Sequence, residues 1–179
     1  GGRRGAHGSA VDGSVLRVID ELVRDKAEMI FVLSFSYGQH LQESVKKHPG
    51  VKFFHAAGVV QGPNLATYFG RIYQARYLSG IVAGMQSKTG HIGFVGAHPI
   101  AEVVQGINAF TLGVRSVNPQ AIVHVAWTGS WYDPVVEKRE AERLFDSYPI
   151  DVMAQHQDTT IPVEVAKGRG AYAIGYHLD

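Results

Sequence analysis

Aromatic and hydrogen-bonding side chains recur in the short segments that follow apolar runs of this 179-residue sequence. The segments are 34–37, 56–58, 96–98, 128–133, 155–158 and 176–179, and all but 56–58 carry such side chains. Together they contain amide, hydroxyl, imidazole and carboxylate groups and the rings of Phe, Tyr and Trp. Such a mixture suits a flat heterocycle with polar substituents, because stacked rings cover its faces and fixed hydrogen bonds orient its edges.

Regular elements must hold these segments in place, and the hydrophobic pattern alternates between helical and strand periodicity. The pattern predicts helices over 15–23, 39–47, 72–87, 100–117, 135–147 and 160–167. It predicts strands over 27–33, 51–57, 65–69, 91–95, 121–127, 151–154 and 171–176. This alternation is typical of an α/β fold with doubly wound parallel sheets. Since ligands bind outside the carboxyl ends of such strands, the polar segments form the predicted site.

Two helices carry patterns that predict how they pack. The helix over 72–87 carries small residues that allow a close approach, at Ser79, Gly80, Ala83 and Gly84. The helix over 100–117 presents an apolar stripe to the core, at Val103, Ile107, Phe110, Val114 and Val117. Asp133 and Pro134 are predicted to begin a helix, because Asp accepts hydrogen bonds from free backbone N–H groups and Pro suits the first helical position.

We expect two lobes, both incomplete. Residues 1–69 form a partial N-terminal lobe whose first eleven residues are irregular, and 70–179 form a partial C-terminal lobe. Three predicted strands precede the boundary, fewer than the four to six that a doubly wound lobe normally has, and the sequence stops directly after the last strand. Exposed sheet edges would make such a chain prone to association.

Composition excludes several functions. The 17 Lys and Arg residues nearly balance the 16 Asp and Glu residues without a run of like charge, so neither nucleic acid nor anionic lipid is an expected partner. The sequence contains no cysteine, which excludes disulfides and thiolate metal sites. His98, His156 and His177 lack the spacing of a helical zinc site, so we expect them to form hydrogen bonds, with no metal and no cofactor.

The sequence offers no nucleophile elbow, no Walker lysine loop and no H-E-x-x-H motif. Asp158 and Asp179 end neighbouring segments and could form a carboxylate pair, as a nucleoside hydrolase would need. Carboxylates at strand ends also accept hydrogen bonds from sugar hydroxyls, so binding without catalysis is the simpler interpretation.

Several stretches taken in order resemble a known family: NLATYFGRIYQARYLSGIVAG at 64–84, IGFVG at 92–96, GINAF at 106–110, WTGSWYDP at 127–134, AQHQD at 154–158 and AIGYH at 173–177. They resemble the basic membrane protein family of ABC-transporter substrate-binding lipoproteins, whose members include purine nucleoside receptors. The likeness extends from residue 12 to residue 179. It implies a type I periplasmic-binding fold, two lobes that close on a ligand, and delivery to permease subunits. It also implies a location in the periplasm or on the outer face of the membrane, with a lipid anchor on a cysteine that these residues do not include.

The resemblance also implies roles for single residues. Trp131 matches the aromatic residue that stacks on the base, and Phe35 and Tyr37 match an aromatic loop on the ligand side. The crossing segment near the base corresponds to Phe69, Gly70 and Arg71. His177 stands where many members have an acidic ribose contact, and this departure extends the predicted ligands from purine nucleosides to free nucleobases.

The segments at the strand ends complete the predicted ligand-binding set with Tyr132, His156 and Gln157. The expected function is therefore that of a non-enzymatic solute-binding component of an ABC importer, with a purine nucleoside or nucleobase held between two lobes. The main alternative is a ligand-sensing regulatory domain of the same fold.

Overall fold

The computed structural model describes residues 14–176, in which helices and parallel strands alternate. The helices are α1 (Ser14–Arg24), α2 (Gly38–Lys47), α3 (Ile72–Gln86), α4 (Ala101–Val117), α5 (Pro134–Ser147) and α6 (Ile161–Gly168). The strands are β1 (Met29–Val32), β2 (Lys52–Ala56), β3 (Leu65–Tyr68), β4 (His91–Gly96), β5 (Ile122–Trp127), β6 (Val152–His156) and β7 (Tyr172–Ile174). Each predicted helix and strand is thus confirmed with its ends within two residues. A 3-10 turn at Phe35–Tyr37 was not predicted, and the residues predicted to be irregular, 1–11, lie outside the described part.

The chain forms two compact units, the first ending at Gly70 and the second beginning at Arg71. In the first unit, parallel strands lie in the order β1-β2-β3. Helices α1 and α2 cover one face of this sheet, over a core of Ile19, Ile30, Val32, Leu41, Val45, Val51, Phe53 and Leu65. The opposite face exposes large apolar side chains, among them Phe31 and Tyr68. The Phe31 ring lies 5.0 Å from that of Phe54 and 6.2 Å from that of Tyr68, so these aromatic side chains pack on one another.

In the second unit, parallel strands lie in the order β5-β4-β6-β7, and helices cover both faces. Helices α3 and α4 pack over one core, which includes Ile92, Phe94, Val103, Phe110, Val114, Val152 and Ala154. Helices α5 and α6 pack over the other, which includes Val95, Ala126, Ala141, Leu144, Met153 and Ala166. Burial on both faces explains why residues 92–96 of β4 and 152–154 of β6 are continuously apolar, as is typical of doubly wound parallel sheets.

Close contact between α3 and α4 depends on glycine. A Cβ placed on Gly80 would lie 2.1 Å from the carbonyl oxygen of Phe110, and one on Gly113 would lie 2.0 Å from that of Tyr77. The prediction of a close-packed face on α3 is therefore confirmed. Four residues of the predicted α4 stripe are buried, but the fifth, Val117, is 43% exposed. That part of the prediction was wrong because Val117 ends the helix, where its side chain lies against Gly84 of α3.

Within residues 14–176, no helix combines the length and the apolar character needed to cross a bilayer.

Candidate ligand-binding site

The carboxyl ends of β4, β5, β6 and β7 bring a group of aromatic and imidazole rings to one edge of the second unit. The half-buried Trp131 ring lies in the segment after β5. Its centroid is 5.1 Å from the His98 ring and 6.0 Å from the His156 ring. Beyond His156 lies Tyr176, whose ring centroid is 3.9 Å from that of His156. The sequence prediction that aromatic groups gather at this edge is realised around Trp131.

The start of α5 fixes the segment that carries Trp131. Asp133 caps the helix, since its carboxylate accepts from the Val136 backbone N–H at 3.1 Å, and Pro134 occupies the first helical position. The prediction for this pair is confirmed. The fully buried Glu137 accepts from the Asp133 backbone N–H at 3.0 Å and from the Thr159 hydroxyl. This one carboxylate therefore ties the segment after β5 to the segment after β6.

Gln157 supports the segment that carries Trp131 through hydrogen bonds. Its Nε2 donates to the Thr128 hydroxyl at 2.7 Å, and that hydroxyl donates to the Ser130 carbonyl at 2.8 Å. The backbone N–H of Asp158 donates to the Trp131 carbonyl at 2.9 Å. The Gln157 side chain is almost completely buried and supports this segment, and its role as a ligand contact stays a prediction.

Two charged residues that were not among the predicted site residues lie next to the Tyr176 and His156 rings. Arg76 of α3 is buried, donates from Nη2 to the Gln155 carbonyl at 2.9 Å, and places its Cζ 4.6 Å from the Tyr176 ring centroid. Glu102 in the first turn of α4 has a carboxylate oxygen 3.8 Å from Nε2 of His156. Burial raises the pKa of the Glu102 carboxyl and lowers the pKa of the Arg76 guanidinium. Burial also raises the pKa of Tyr176, with a further upward contribution from Glu102.

In the first unit, Phe35 lines a groove of about 460 Å³ at the carboxyl ends of β1 and β2. Buried His55 lies in the same groove, where its Nε2 donates to the Ser34 carbonyl at 2.8 Å. Tyr37, which was predicted beside Phe35 as a ligand contact, packs against the apolar core of this unit.

The remaining predicted site residues are exposed or lie outside the described part. Phe69 and Gly70 are exposed at the end of the first unit, and exposed Arg71 precedes α3 at the start of the second. Tyr132 is 67% exposed beside Trp131. His177 lies outside residues 14–176.

The sequence analysis considered two groups of polar residues, a carboxylate pair of Asp158 and Asp179 and a set of three histidines. Asp179 lies outside residues 14–176, so its pairing with Asp158 is not described. His98 and His156 both contact the Trp131 ring. Among the described residues, no group of three or more His, Cys, Asp or Glu side chains could hold a metal ion.

The doubly wound fold and its ring-lined edge define an α/β protein of the periplasmic-binding type. An ABC transporter solute-binding protein from Aeropyrum pernix superposes with a TM-score of 0.74 at 18% identity, covering 93% of this chain and 50% of that one. Residues 4–179 match the family model described as ABC transporter substrate-binding protein PnrA-like, and the chain therefore belongs to this family, named Bmp.

Two curated relatives carry names that indicate different ligands. A purine-binding protein of Brucella abortus is 42% identical over 163 residues, which are 91% of this chain and 46% of that protein. A candidate ABC transporter glucose-binding protein of Haloferax volcanii is 38% identical over 161 residues, which are 90% of this chain and 41% of that protein. The chain thus spans less than half the length of each of these relatives.

Proposed function

We propose that this protein is the solute-binding component of an ABC importer and that its ligand is a purine nucleoside or nucleobase. The observation that carries the proposal is the half-buried Trp131 ring, which contacts the His98 and His156 rings at the carboxyl edge of the second unit. The purine-binding relative supports this ligand class over the sugar suggested by the other relative. Delivery to permease subunits and a location in the periplasm or on the outer face of the membrane belong to the same proposal.

A purine suits this edge for physical reasons. The Trp131 segment is fixed by the Asp133 cap and by the Glu137 and Gln157 hydrogen bonds, so the indole ring is already oriented before a ligand arrives. A preorganised flat ring stacks on a flat base at little cost in side-chain entropy. A glucose ring lacks an aromatic face of its own and would gain less from this platform.

The test is isothermal calorimetry with adenosine, guanosine, hypoxanthine and glucose. We expect Trp131→Ala to weaken purine binding at least about fivefold, because an aromatic pair contributes about 0.5–1.5 kcal/mol beyond its buried area. Trp131→Phe should retain part of the affinity. Tyr172→Ala is the matched control, since Tyr172 is an exposed aromatic residue at the start of β7. Binding of glucose without binding of any purine would refute the ligand assignment.

The groove in the first unit gives a second test of the ligand-binding set. Phe35 is half-buried and offers the groove an aromatic surface beside His55. We expect Phe35→Ala to weaken purine binding and Phe35→Tyr to preserve it. Equal affinities for wild type and Phe35→Ala would remove Phe35 from the ligand-binding residues.

Binding without turnover is also part of the proposal. Incubation of the protein with inosine or adenosine should leave the nucleoside intact when the mixture is separated by liquid chromatography. Release of free base by the wild type, and not by Asp158→Asn, would instead establish the hydrolase alternative.

A further inference from the structure

Helix α3 buries a full positive charge in the second unit. Arg76 is 4% exposed, although its helix contains mainly apolar and small residues. Among residues 14–176, no carboxylate forms an ion pair with Arg76, and its Nε has no hydrogen-bond partner. A buried charge without a carboxylate partner destabilises the fold, so its presence calls for a specific role.

Aromatic faces and one carbonyl hold the guanidinium in place. Its Cζ lies 5.4 Å from the Phe94 ring centroid and 4.6 Å from the Tyr176 ring centroid. Its Nη2 donates to the Gln155 carbonyl at 2.9 Å. The side chain passes beside Gly106 of α4, where an added Cβ would be in ordinary van der Waals contact with Cγ of Arg76 at 3.6 Å. The planar cation is thus fixed to the sheet on one side and to Tyr176 on the other.

The contact with Tyr176 leads to the candidate ligand-binding site. Tyr176 follows β7 by two residues, beyond the last strand residue, Ile174. Its ring lies 3.9 Å from the His156 ring, which lies 6.0 Å from the Trp131 ring. Arg76, Tyr176, His156 and Trp131 therefore form a continuous row from the interior of the second unit to its carboxyl edge.

We propose that Arg76 is a positioning residue of the ligand site, which holds Tyr176 against His156 and so fixes the wall behind Trp131. Arg76 itself is too deeply buried to contact a ligand in this conformation. The effect on ligand affinity rests on the proposed function, whereas the effect on the Tyr176 ring does not. Two measurements separate these consequences.

The first measurement needs no ligand. Nuclear magnetic resonance of the His156 ring protons reports the Tyr176 ring current, and a Tyr176→Leu variant gives the shifts expected without that ring. In Arg76→Met we expect the His156 shifts to move most of the way toward the Tyr176→Leu values. Arg76→Lys keeps the charge but lacks the planar group, so its His156 shifts should be intermediate. This variant replaces Arg76→Met in the measurement if Arg76→Met does not fold.

Arg115→Met is the matched control for this measurement. Arg115 also donates to a carbonyl, that of Ala121 at 3.4 Å, but it lies at the amino end of β5. We expect its His156 shifts to equal those of the wild type. Wild-type shifts in both Arg76 variants, alongside a clear change in Tyr176→Leu, would overturn the proposal.

The second measurement is a double-mutant cycle on the dissociation constant for adenosine. If Arg76 acts through Tyr176, Arg76→Met should weaken binding about fivefold in the wild-type background and less than about twofold in the Tyr176→Leu background. Full additivity of the two changes would refute action through Tyr176. If the wild type does not bind adenosine, the cycle is measured with whichever of guanosine or hypoxanthine it binds. Absence of binding by all three purines would refute the proposed function, and the ligand-free shifts would still decide the role of Arg76.

Discussion

Glu137 shows how one buried side chain can fix the position of a binding residue. Its carboxylate is fully buried and accepts from the Asp133 backbone N–H and the Thr159 hydroxyl, which belong to different segments at the same sheet edge. Both donors would lose their partner if the carboxylate were removed. Since Trp131 lies two residues before Asp133, its position depends on this carboxylate as well.

We expect Glu137→Ala to destabilise the second unit by about 1–3 kcal/mol, the typical cost of leaving buried donors without acceptors. Purine affinity should fall too, because the Trp131 segment loses its anchor. Urea unfolding followed by Trp fluorescence gives the stability, and calorimetry gives the affinity.

Glu142→Ala is the control for this prediction on the same helix. Its carboxylate is partly exposed and lies 3.9 Å from the ammonium of Lys138, an arrangement that contributes about 0–1 kcal/mol. Its stability and affinity should match those of the wild type within error. A similar loss in both variants would mean that the buried hydrogen bonds of Glu137 have no special role.

Residue types predicted which segments gather at the sheet edge, but they did not predict which side chains face outward there. His156 and Gln157 were predicted as ligand contacts, and the structure buries both. Whether a polar side chain at a strand end is buried depends on the segments packed around it, such as the one that supplies the Thr128 hydroxyl to Gln157, and residue type does not encode that packing. Arg76 had a usable signal, because it precedes Gly80 by four residues and so shares the close-packed face of α3.

At the scale of elements, the contact between α3 and α4 is the most constrained feature of the second unit. Gly113→Ala would place a Cβ 2.0 Å from the Tyr77 carbonyl oxygen, which is backbone and cannot rotate away. The helices must therefore separate, and overpacking of this kind costs about 1–3 kcal/mol or more. A lower urea midpoint followed by Trp fluorescence is the expected result.

Gly168→Ala provides a control glycine at the end of α6, where nothing lies within 4 Å of an added Cβ. Because alanine favours the helix over glycine by about 0.5–1 kcal/mol, this variant should be as stable as the wild type or slightly more so. If Gly113→Ala behaved like Gly168→Ala, close helix contact would not be a source of stability in this unit.

The elements themselves could be predicted because each carries its own local pattern. Apolar residues at helical spacing in α4 and a continuous apolar run in β4 differ enough to separate helix from buried strand. The 3-10 turn at Phe35–Tyr37 lacks such a pattern, since three residues are too few to show a period. The prediction for Val117 was wrong because helical periodicity identifies the buried face of a helix but does not show how far along the helix that burial extends.

For the whole molecule, two units with separate cores predict that unfolding is not a single transition. Among the described residues, helices cover one face of the sheet in the first unit and both faces in the second, so the first unit should unfold at lower urea. Both Trp residues of the sequence, Trp127 and Trp131, lie in the second unit. Far-UV circular dichroism should therefore begin to change at lower urea than Trp fluorescence. Coincident transitions would contradict independent unfolding of the two units.

In the second unit, His124 and Glu102 should change the stability in opposite directions as the pH falls from about 7.5 to about 5. The His124 ring stacks on Tyr148 at 3.7 Å and shares a 2.9 Å hydrogen bond with His91. Burial, followed by the charge of His91, lowers the pKa of His124 in the folded state. An unfolded histidine titrates near about 6.5, so this stability is fully present above that pH and is lost as the pH falls through the lower folded value.

The Glu102 carboxyl should have the opposite effect on the stability of the second unit as the pH falls. Because burial raises the pKa of its carboxyl, its contribution to stability is fully present below the unfolded value of about 4.3 and is lost as the pH rises through the folded value. Acidification from about pH 7.5 to about pH 5 therefore destabilises through His124 and stabilises through Glu102. The measured quantity is the Trp-detected urea midpoint at about pH 5 minus that at about pH 7.5. Relative to the wild type, His124→Gln should make this difference more positive and Glu102→Gln should make it more negative. An unchanged difference in His124→Gln would exclude His124 as an acid-sensitive group, and the Glu102→Gln result tests the opposing contribution separately.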